Sequence, residues 1–497
     1  MQVGYSMKRQ ACSAVVLICC SFLLISCSGV PQGGCVANCG SGNATISIVL
    51  TATPPSPIAQ LSVQAFTATI TGLKLSTSTG TDFAVPLNAT SYIAEFTRVT
   101  SDSTVLAANV AIPVGTYTQA TITFGAPRVT FCTQPNPGVL GCADNTLTTI
   151  SGASGSATVS TSLSLAANAQ TGLALDADLG AALTVTGQTV TAVSLTAANI
   201  FAVNMLPPAA TATDLAAGQL SHVDDVMGLV TSASGSTLTI QTSTRGSITA
   251  TASASTQYST DCNSNGGSQT FSGCVIANHV AIVDAILNAD GTFTLTFYQP
   301  VSTSSSDVIE GVVTGVPDSV TEQFTIAVTD SVFASSGSLL NGQLALGDQI
   351  RVSLLTPNPF QIISKGLLIP VTSGGFLNST SAASIQPGQT VAFPAVSFTA
   401  QSGATLGTAS THDLALRFTR ITAAIGSTSS PVFSATAFPP YFGLTVGQQI
   451  QTTSGRLSLD GIAHLSSMSA GNAFSSTALY VGPPASPMFS AQSVRTH

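Results

Sequence analysis

Charge is what this chain most lacks. Of its 497 residues only 6% are Asp, Glu, Lys or Arg, against 44% hydrophobic, and tryptophan is absent. Disordered chains show the reverse balance, so folded domains are implied. Few segments offer the Glu, Lys, Arg and Leu that hold a solvated helix together, which argues against long helices and leaves strands. The 12 Lys and Arg residues form no run after Arg9, and the formal net charge is −8. Without a basic face to neutralise phosphates, nucleic acid is excluded as a partner. The chain beyond its first thirty residues also lacks any stretch of 18 uncharged, continuously apolar residues, so no membrane-spanning helix is expected there.

Motifs of catalysis are missing as well. No two of His222, His279, His412, His464 and His497 lie within five positions of each other, and His-Glu-x-x-His does not occur. A metal site would need ligands gathered from different modules, so no metal is assigned. No Gly-x-Ser-x-Gly marks a nucleophile elbow, and serine is too abundant for any Ser, His, Asp combination to carry weight. Asp176 and Asp178 have the spacing that puts both carboxylates on one face of a strand, but calcium would want six to eight oxygens. They read as solvated strand positions or as a turn ending at Gly180. His222, Asp224 and Asp225 read as a linker leading into a module. The sequence therefore points to no catalytic residue and no cofactor. With no Trp and 7 Tyr, a sugar-stacking platform reduces to Tyr441 and Phe442 behind Pro439-Pro440, which packing on their own barrel explains equally well.

What is present begins at the N-terminus. Lys8 and Arg9 precede an apolar run from Ala14 to Ile25 and a small residue, Ser26, which is the layout of an export signal. Twelve mostly apolar residues are too few to cross ~30 Å of hydrocarbon. Met7, directly before the basic pair, is the expected true start. Leu24-Ile25-Ser26-Cys27 resembles the lipobox of bacterial lipoproteins, which implies cleavage before Cys27 and acylation of that cysteine. Lipid is then the expected membrane contact. Ser28 stands where an Asp would suggest inner-membrane retention, which points to the outer membrane. A Gly- and Ser-rich tether follows, to about Gly42.

From Ala44 the chain alternates as strands do: Ile46, Ile48 and Leu50, then Phe66, Ala68 and Ile70 beyond the Pro54-Pro55-Ser56-Pro57 break. Short strands broken by Gly, Pro and Asn predict an antiparallel β-sandwich over 44–206, closed by a Pro- and Ala-rich linker at 207–219. Early proteolysis is expected between Pro207 and Gly218. Beyond it, weak repetition appears. Gly228-Leu-Val-Thr returns as Gly311-Val-Val-Thr, and Leu346-Gly-Asp-Gln-Ile returns as Val446-Gly-Gln-Gln-Ile and more loosely as Pro387-Gly-Gln-Thr-Val. Copies 83 and 100 residues apart are too irregular for a solenoid or propeller. Asn288-Ala-Asp-Gly291 predicts a hairpin turn. The layout is a signal peptide at 1–26, a lipidated tether at 27–43, the sandwich, the linker, β-modules at 220–302 and 303–370, and a terminal β-domain at 371–497. The fold class is all-β and multidomain, an antiparallel β-sandwich followed by small β-barrel-like modules.

The opening Ile46-Ser-Ile-Val-Leu-Thr strand, Ala68-Thr-Ile-Thr-Gly-Leu-Lys-Leu and Ile112-Pro-Val-Gly-Thr-Tyr-Thr-Gln-Ala-Thr-Ile resemble the N-terminal domain of an uncharacterised family of bacterial envelope lipoproteins. Its Pro-x-Gly-x-Tyr turn is similar to those of transthyretin-like sandwiches, with Pro113 and Gly115 fixing the turn and Tyr117 entering the next strand. The later units resemble the small tandem β-barrel modules of unknown function that accompany this domain, and Val494-Arg-Thr-His497 is like their basic ending. The resemblance implies fold and location, and no chemistry. The functional expectation is a lipid-anchored envelope scaffold or adhesion module with an envelope protein or glycan as partner. A carbohydrate-binding surface protein and an envelope hydrolase stand as alternatives.

Cysteine supplies the sharpest arithmetic. Of 10 Cys, Cys12, Cys19 and Cys20 leave with the signal and Cys27 carries lipid. The remaining six fall into three near-neighbour pairs, Cys35 with Cys39, Cys132 with Cys142, and Cys262 with Cys274, which an oxidising envelope would close as disulfides; a free or intermolecular pair is the alternative for Cys35 and Cys39 in the tether, and a metal site is disfavoured by the lack of short Cys-x-x-Cys pairs and supporting His.

Overall fold

A computed structural model describes residues 42–497, apart from 57–60, 134–140, 143–146, 206–221, 260, 265–268, 289–291, 302–306, 334–337, 341, 366, 368–374, 403–404, 430–431, 437, 440–441, 443–447, 453–457, 461–467 and 482–487. The expected signal, Cys27, Cys35 and Cys39 lie outside the described residues. Among the described residues the fold is all-β, with helical turns of three or four residues only, and no helix is long and apolar enough to cross a membrane.

The first unit is a sandwich. One sheet runs in the order Phe201–Met205, Gln170–Asp178, Asn43–Thr53, Thr104–Pro113. The other is built on the long strand Leu61–Thr77, flanked by Arg128–Thr133 on one side and Gly115–Phe124 on the other. Inward residues of both sheets, among them Ile46, Ile48, Phe66, Ile70, Ile122 and Leu175, form one core. One pair departs from the antiparallel pattern of this sandwich: Asn43–Thr53 pairs in parallel with Gln170–Asp178. Parallel neighbours need a long crossover, and here the chain between them passes through the opposite sheet. At the Pro-x-Gly-x-Tyr turn, Gly115 has φ 153° and the Tyr117 hydroxyl donates to the Pro113 carbonyl at 2.7 Å, closing the corner.

Three further sheets follow. His222–Ser234, Thr237–Gln241, Ser247–Tyr258, Phe293–Pro300 and Val280–Leu287 close into a five-stranded barrel, with one parallel pair, Ser247–Tyr258 with Phe293–Pro300. An eight-stranded sheet spans residues 308–417, and a six-stranded sheet spans 419–496 and pairs back on itself. The expected break at 370 falls inside the eight-stranded sheet, because Thr390–Pro394 pairs with Val308–Val313. Leu346-Gly347 and Pro387-Gly388 are thus two turns of one sheet.

The recurring glycine has a physical cause. A Cβ at Gly228 would lie 2.7 Å from the Gln241 carbonyl oxygen, and one at Gly311 would lie 2.6 Å from that of Ala327. A third glycine, Gly426 in the strand Thr419–Ser429, would meet the Ser434 hydroxyl at 2.7 Å. Each opening strand is therefore drawn tightly against the next, and only glycine permits it. Each of these three pairings also carries a register shift close to its glycine.

Cys132 and Cys142 are bonded, as are Cys262 and Cys274, with Cα atoms 6.1 and 5.0 Å apart. Cys262 and Cys274 lie in the barrel core. Cys132 and Cys142 pack with Ile421, Phe433 and Tyr480 of the six-stranded sheet, so the sandwich's own staple is part of another sheet's core.

Candidate functional site

The charges this chain does have are concentrated at one place. Arg98, Arg245, Lys365, Arg417 and Arg420 meet Asp102, Asp225, Asp284, Glu310 and Asp330 in a buried cluster, five cations against five carboxylates. Every sheet system contributes. Arg98 and Asp102 come from the turn after Tyr92–Glu95 of the sandwich, Asp225, Arg245 and Asp284 from the barrel, Glu310, Asp330, Lys365 and Arg417 from the eight-stranded sheet and its loops, and Arg420 from the six-stranded sheet.

Asp225 is the centre. It is 0% exposed, and its carboxylate takes Arg417 at 2.7 Å, Arg420 at 3.1 Å and Lys365 at 3.4 Å, with Arg98 at 4.0 Å. Around it, Arg98 reaches Asp330 at 3.2 Å and Glu310 at 3.5 Å, Arg245 holds Asp330 at 2.5 Å, and Lys365 holds Asp284 at 2.5 Å. Arg420 closes on Asp102 at 2.9 Å, and the Thr477 hydroxyl donates to the same carboxylate at 2.8 Å. Burial by itself would raise the Asp225 carboxyl, but Arg417, Lys365, Arg420 and Arg98 hold it well below the usual carboxylate range.

Local backbone devices aim these acids. The pairing of His222–Ser234 with Val280–Leu287 shifts register between Val223 and Val226, and Asp225 sits in that shift with φ 59°. Asp284 borders a shift at Asp284/Ala285, and Glu310 one at Glu310/Gly311. A bulge turns a side chain away from the strict alternation of the pleat, and here three bulged carboxylates turn toward a common point. Asp225 is therefore no linker residue, contrary to expectation. His222–Ser234 is a strand, and its acid is paid for by cations more than a hundred residues away in sequence.

Beside the hub lies a cleft of about 140 Å³, bounded by the sandwich, the eight-stranded sheet and the six-stranded sheet. Phe66, Leu61, Val312 and Phe438 line it, and Gln64, Glu95, Arg98 and Arg420 give it a polar floor. The Glu95 carboxylate accepts from the backbone N–H groups of Phe66 at 2.9 Å and Arg98 at 2.7 Å, and from the Thr97 hydroxyl at 2.8 Å. Burial pushes its carboxyl up, against those donors. Gln64 differs. It is 4% exposed, and neither its Oε1 nor its Nε2 has a hydrogen-bond partner among the described residues. It is the extra residue of a bulge, between Val63 opposite Phe131 and Ala65 opposite Thr130.

The other sequence candidates fall elsewhere. Asp176 accepts from Thr51 and Thr53 at 2.6 and 2.9 Å, and Asp178 caps the turn Leu179–Ala182 through the Ala181 N–H at 3.0 Å. No group of three or more His, Cys, Asp or Glu suited to a metal occurs among the described residues. Phe442 is buried against Tyr480 and Phe489 rather than presented as a platform, and Tyr441 lies outside the described residues. Sequence reasoning missed the hub and Gln64. A usable signal was Leu416-Arg417-Phe418, a cation between two core side chains in a chain that spends charge sparingly. No protein-family profile matches the chain, and no curated protein matches it.

Proposed function

We propose that this chain is a lipid-anchored cell-envelope protein, attached through Cys27 to the outer membrane and acting as a non-catalytic scaffold or adhesion module. The observation that carries this reading is the hub. A catalytic cluster keeps a reactive group uncommitted and within reach of a substrate, whereas Asp225, Glu310 and Asp330 each face two or more buried cations. Ionic groups used this way fix how sheets sit against one another. Outward positions instead carry hydroxyl ladders such as Thr237 with Thr251 and Thr239 with Thr249, a chemically quiet surface suited to display. The envelope location rests on the lipobox-like Leu24-Ile25-Ser26-Cys27 and on the resemblance of the N-terminal third to envelope lipoproteins.

Two measurements on intact cells test it. Cys27→Ser should release the chain from the membrane fraction, because the acyl chains are the strong membrane affinity it has. Retention of that variant on membranes after a salt wash contradicts the anchor. Crosslinking in intact envelopes should capture an envelope protein or glycan with the anchored chain; recovery of the chain alone contradicts the scaffold role.

A further inference from the structure

We infer that Lys365 and Asp284 condense into an intramolecular amide, a covalent cross-link between the barrel and the chain that follows Gln361–Ile362, with Asp225 as proton relay. The link depends on neither the anchor nor the scaffold role, since it rests on three side chains of the hub. Lys365 Nζ lies 2.5 Å from Asp284 Oδ1 and 3.4 Å from Asp225 Oδ1. The side chains of Lys365 and Asp225 are fully buried, and that of Asp284 nearly so. The lysine is the exception in its setting. The other cations of the hub, Arg98, Arg245, Arg417 and Arg420, carry the planar, permanently charged guanidinium that suits a buried ion pair. An ammonium, by contrast, can give up a proton and become a nucleophile. Asp284 sits on Val280–Leu287 and Lys365 beyond Gln361–Ile362, so the two groups that touch are 81 residues apart in sequence.

Burial supplies the driving force. In water, hydration of the two ions holds an ammonium and a carboxylate apart from their amide. In this site that hydration is gone, and a neutral amide replaces two charges that would otherwise stay desolvated. Holding the groups in contact gives them an effective concentration far above any reached in solution. Asp225 and Asp284 hold Lys365 charged, so its ammonium first passes a proton to Oδ1 of the Asp284 carboxylate it touches, leaving an amine beside a carboxylic acid. The amine lone pair attacks Cγ of Asp284, and the carbonyl pair moves onto Oδ2. Arg417 and Arg420 keep the Asp225 carboxylate ionised. It accepts the proton shed by the new C–N nitrogen and hands it to Oδ1 of Asp284. That oxygen leaves as water, assisted by the Asp225 backbone N–H that donates to it at 2.7 Å, and the carbonyl re-forms on Oδ2. One C–N bond forms, one C–O bond breaks and one water is released, with no oxidant, reductant or activated donor. Asp225 ends as it began. One cation and one carboxylate leave the hub together, so its arginines keep their acids.

Peptide mapping by mass spectrometry reads the link directly, using the full chain denatured and with its disulfides reduced. The wild type should give a branched peptide in which the Lys365 side chain is joined to that of Asp284, lighter by one water than its two arms summed. Trypsin should not cut after Lys365, because an acylated lysine carries no charge. Lys365→Arg and Asp284→Ala should each abolish the branched peptide. Asp225→Asn removes the relay and should slow its appearance at least about tenfold, in chain sampled at intervals after synthesis. Mapping of the wild type decides the link even if a variant fails to fold. Separate, linear peptides with cleavage after Lys365 in the wild type would overturn the cross-link. A branch that forms in folded Asp225→Asn as fast as in the wild type would overturn the relay.

Discussion

Asp225→Asn isolates what the hub contributes. The substitution keeps the shape of the side chain and removes one charge, leaving five buried cations facing four carboxylates where there had been five of each. Arg417 and Lys365 share one carboxylate oxygen at 2.7 and 3.4 Å and Arg420 takes the other at 3.1 Å; the amide keeps one uncharged oxygen and turns an NH2 donor toward the cations on the other side. Removing one partner of a buried ion pair typically costs about 3–5 kcal/mol, because the cations left behind keep their desolvation penalty. With an m-value of about 3 kcal/mol per molar urea, the unfolding midpoint should fall by about 1 M or more. Adding Arg417→Met should cost less than the two single changes summed, since the second removes a charge that the first stranded. Asp82→Asn is the control. It breaks the exposed Lys74–Asp82 pair, whose side chains are 42% and 50% exposed, and should leave the midpoint in place. A loss below about 1 kcal/mol for Asp225→Asn, the range of surface pairs, would refute the claim that the hub holds the sheets together.

The hub also sets a pH dependence. Asp225 has a folded pKa held well below its unfolded value, so its contribution is complete above about pH 4 and is lost as pH falls through the folded value. Urea midpoints measured from neutral pH downward should therefore fall below about pH 4, and more steeply for the wild type than for Asp225→Asn; parallel profiles would contradict the assignment. Replacing Cys262 and Cys274 by Ser opens the disulfide within the barrel core and should cost about 2–3 kcal/mol. Peptide mapping without reductant checks the connectivity, and free thiols at Cys132, Cys142, Cys262 or Cys274 would oppose it.

Much of the fold was legible because alternation is a local signal. Ile46, Ile48 and Leu50 announce a buried strand face wherever the partner strand lies, and the near-neighbour cysteines need only a loop between them. Pairing direction is not local. Nothing around Ala44 says that Gln170–Asp178 will lie parallel to it, and the two strands pair across more than a hundred residues. The hub was hidden for the same reason. Asp225 meets Arg98, Arg417 and Arg420 at sequence separations of 127, 192 and 195, and the bulge that turns it inward leaves no mark in the spacing of Val223 and Val226. Gln64 was partly visible. It alternates with Ser62 and Phe66, which places a polar side chain in register with a core phenylalanine, and a bulge again decides where it points.

One ionic hub joins the sandwich to the three sheets that follow it. A specific protease site placed between Pro207 and Gly218 allows the chain to be cut there and then passed over a sizing column without denaturant. Arg98 and Asp102 on the first fragment still face Asp225, Glu310, Asp330 and Arg420 on the second, and Arg128 still faces Asp348 at 2.8 Å. The two fragments should elute together at neutral pH and come apart when Asp225→Asn is present. Fragments that separate at once in the wild-type background would contradict it.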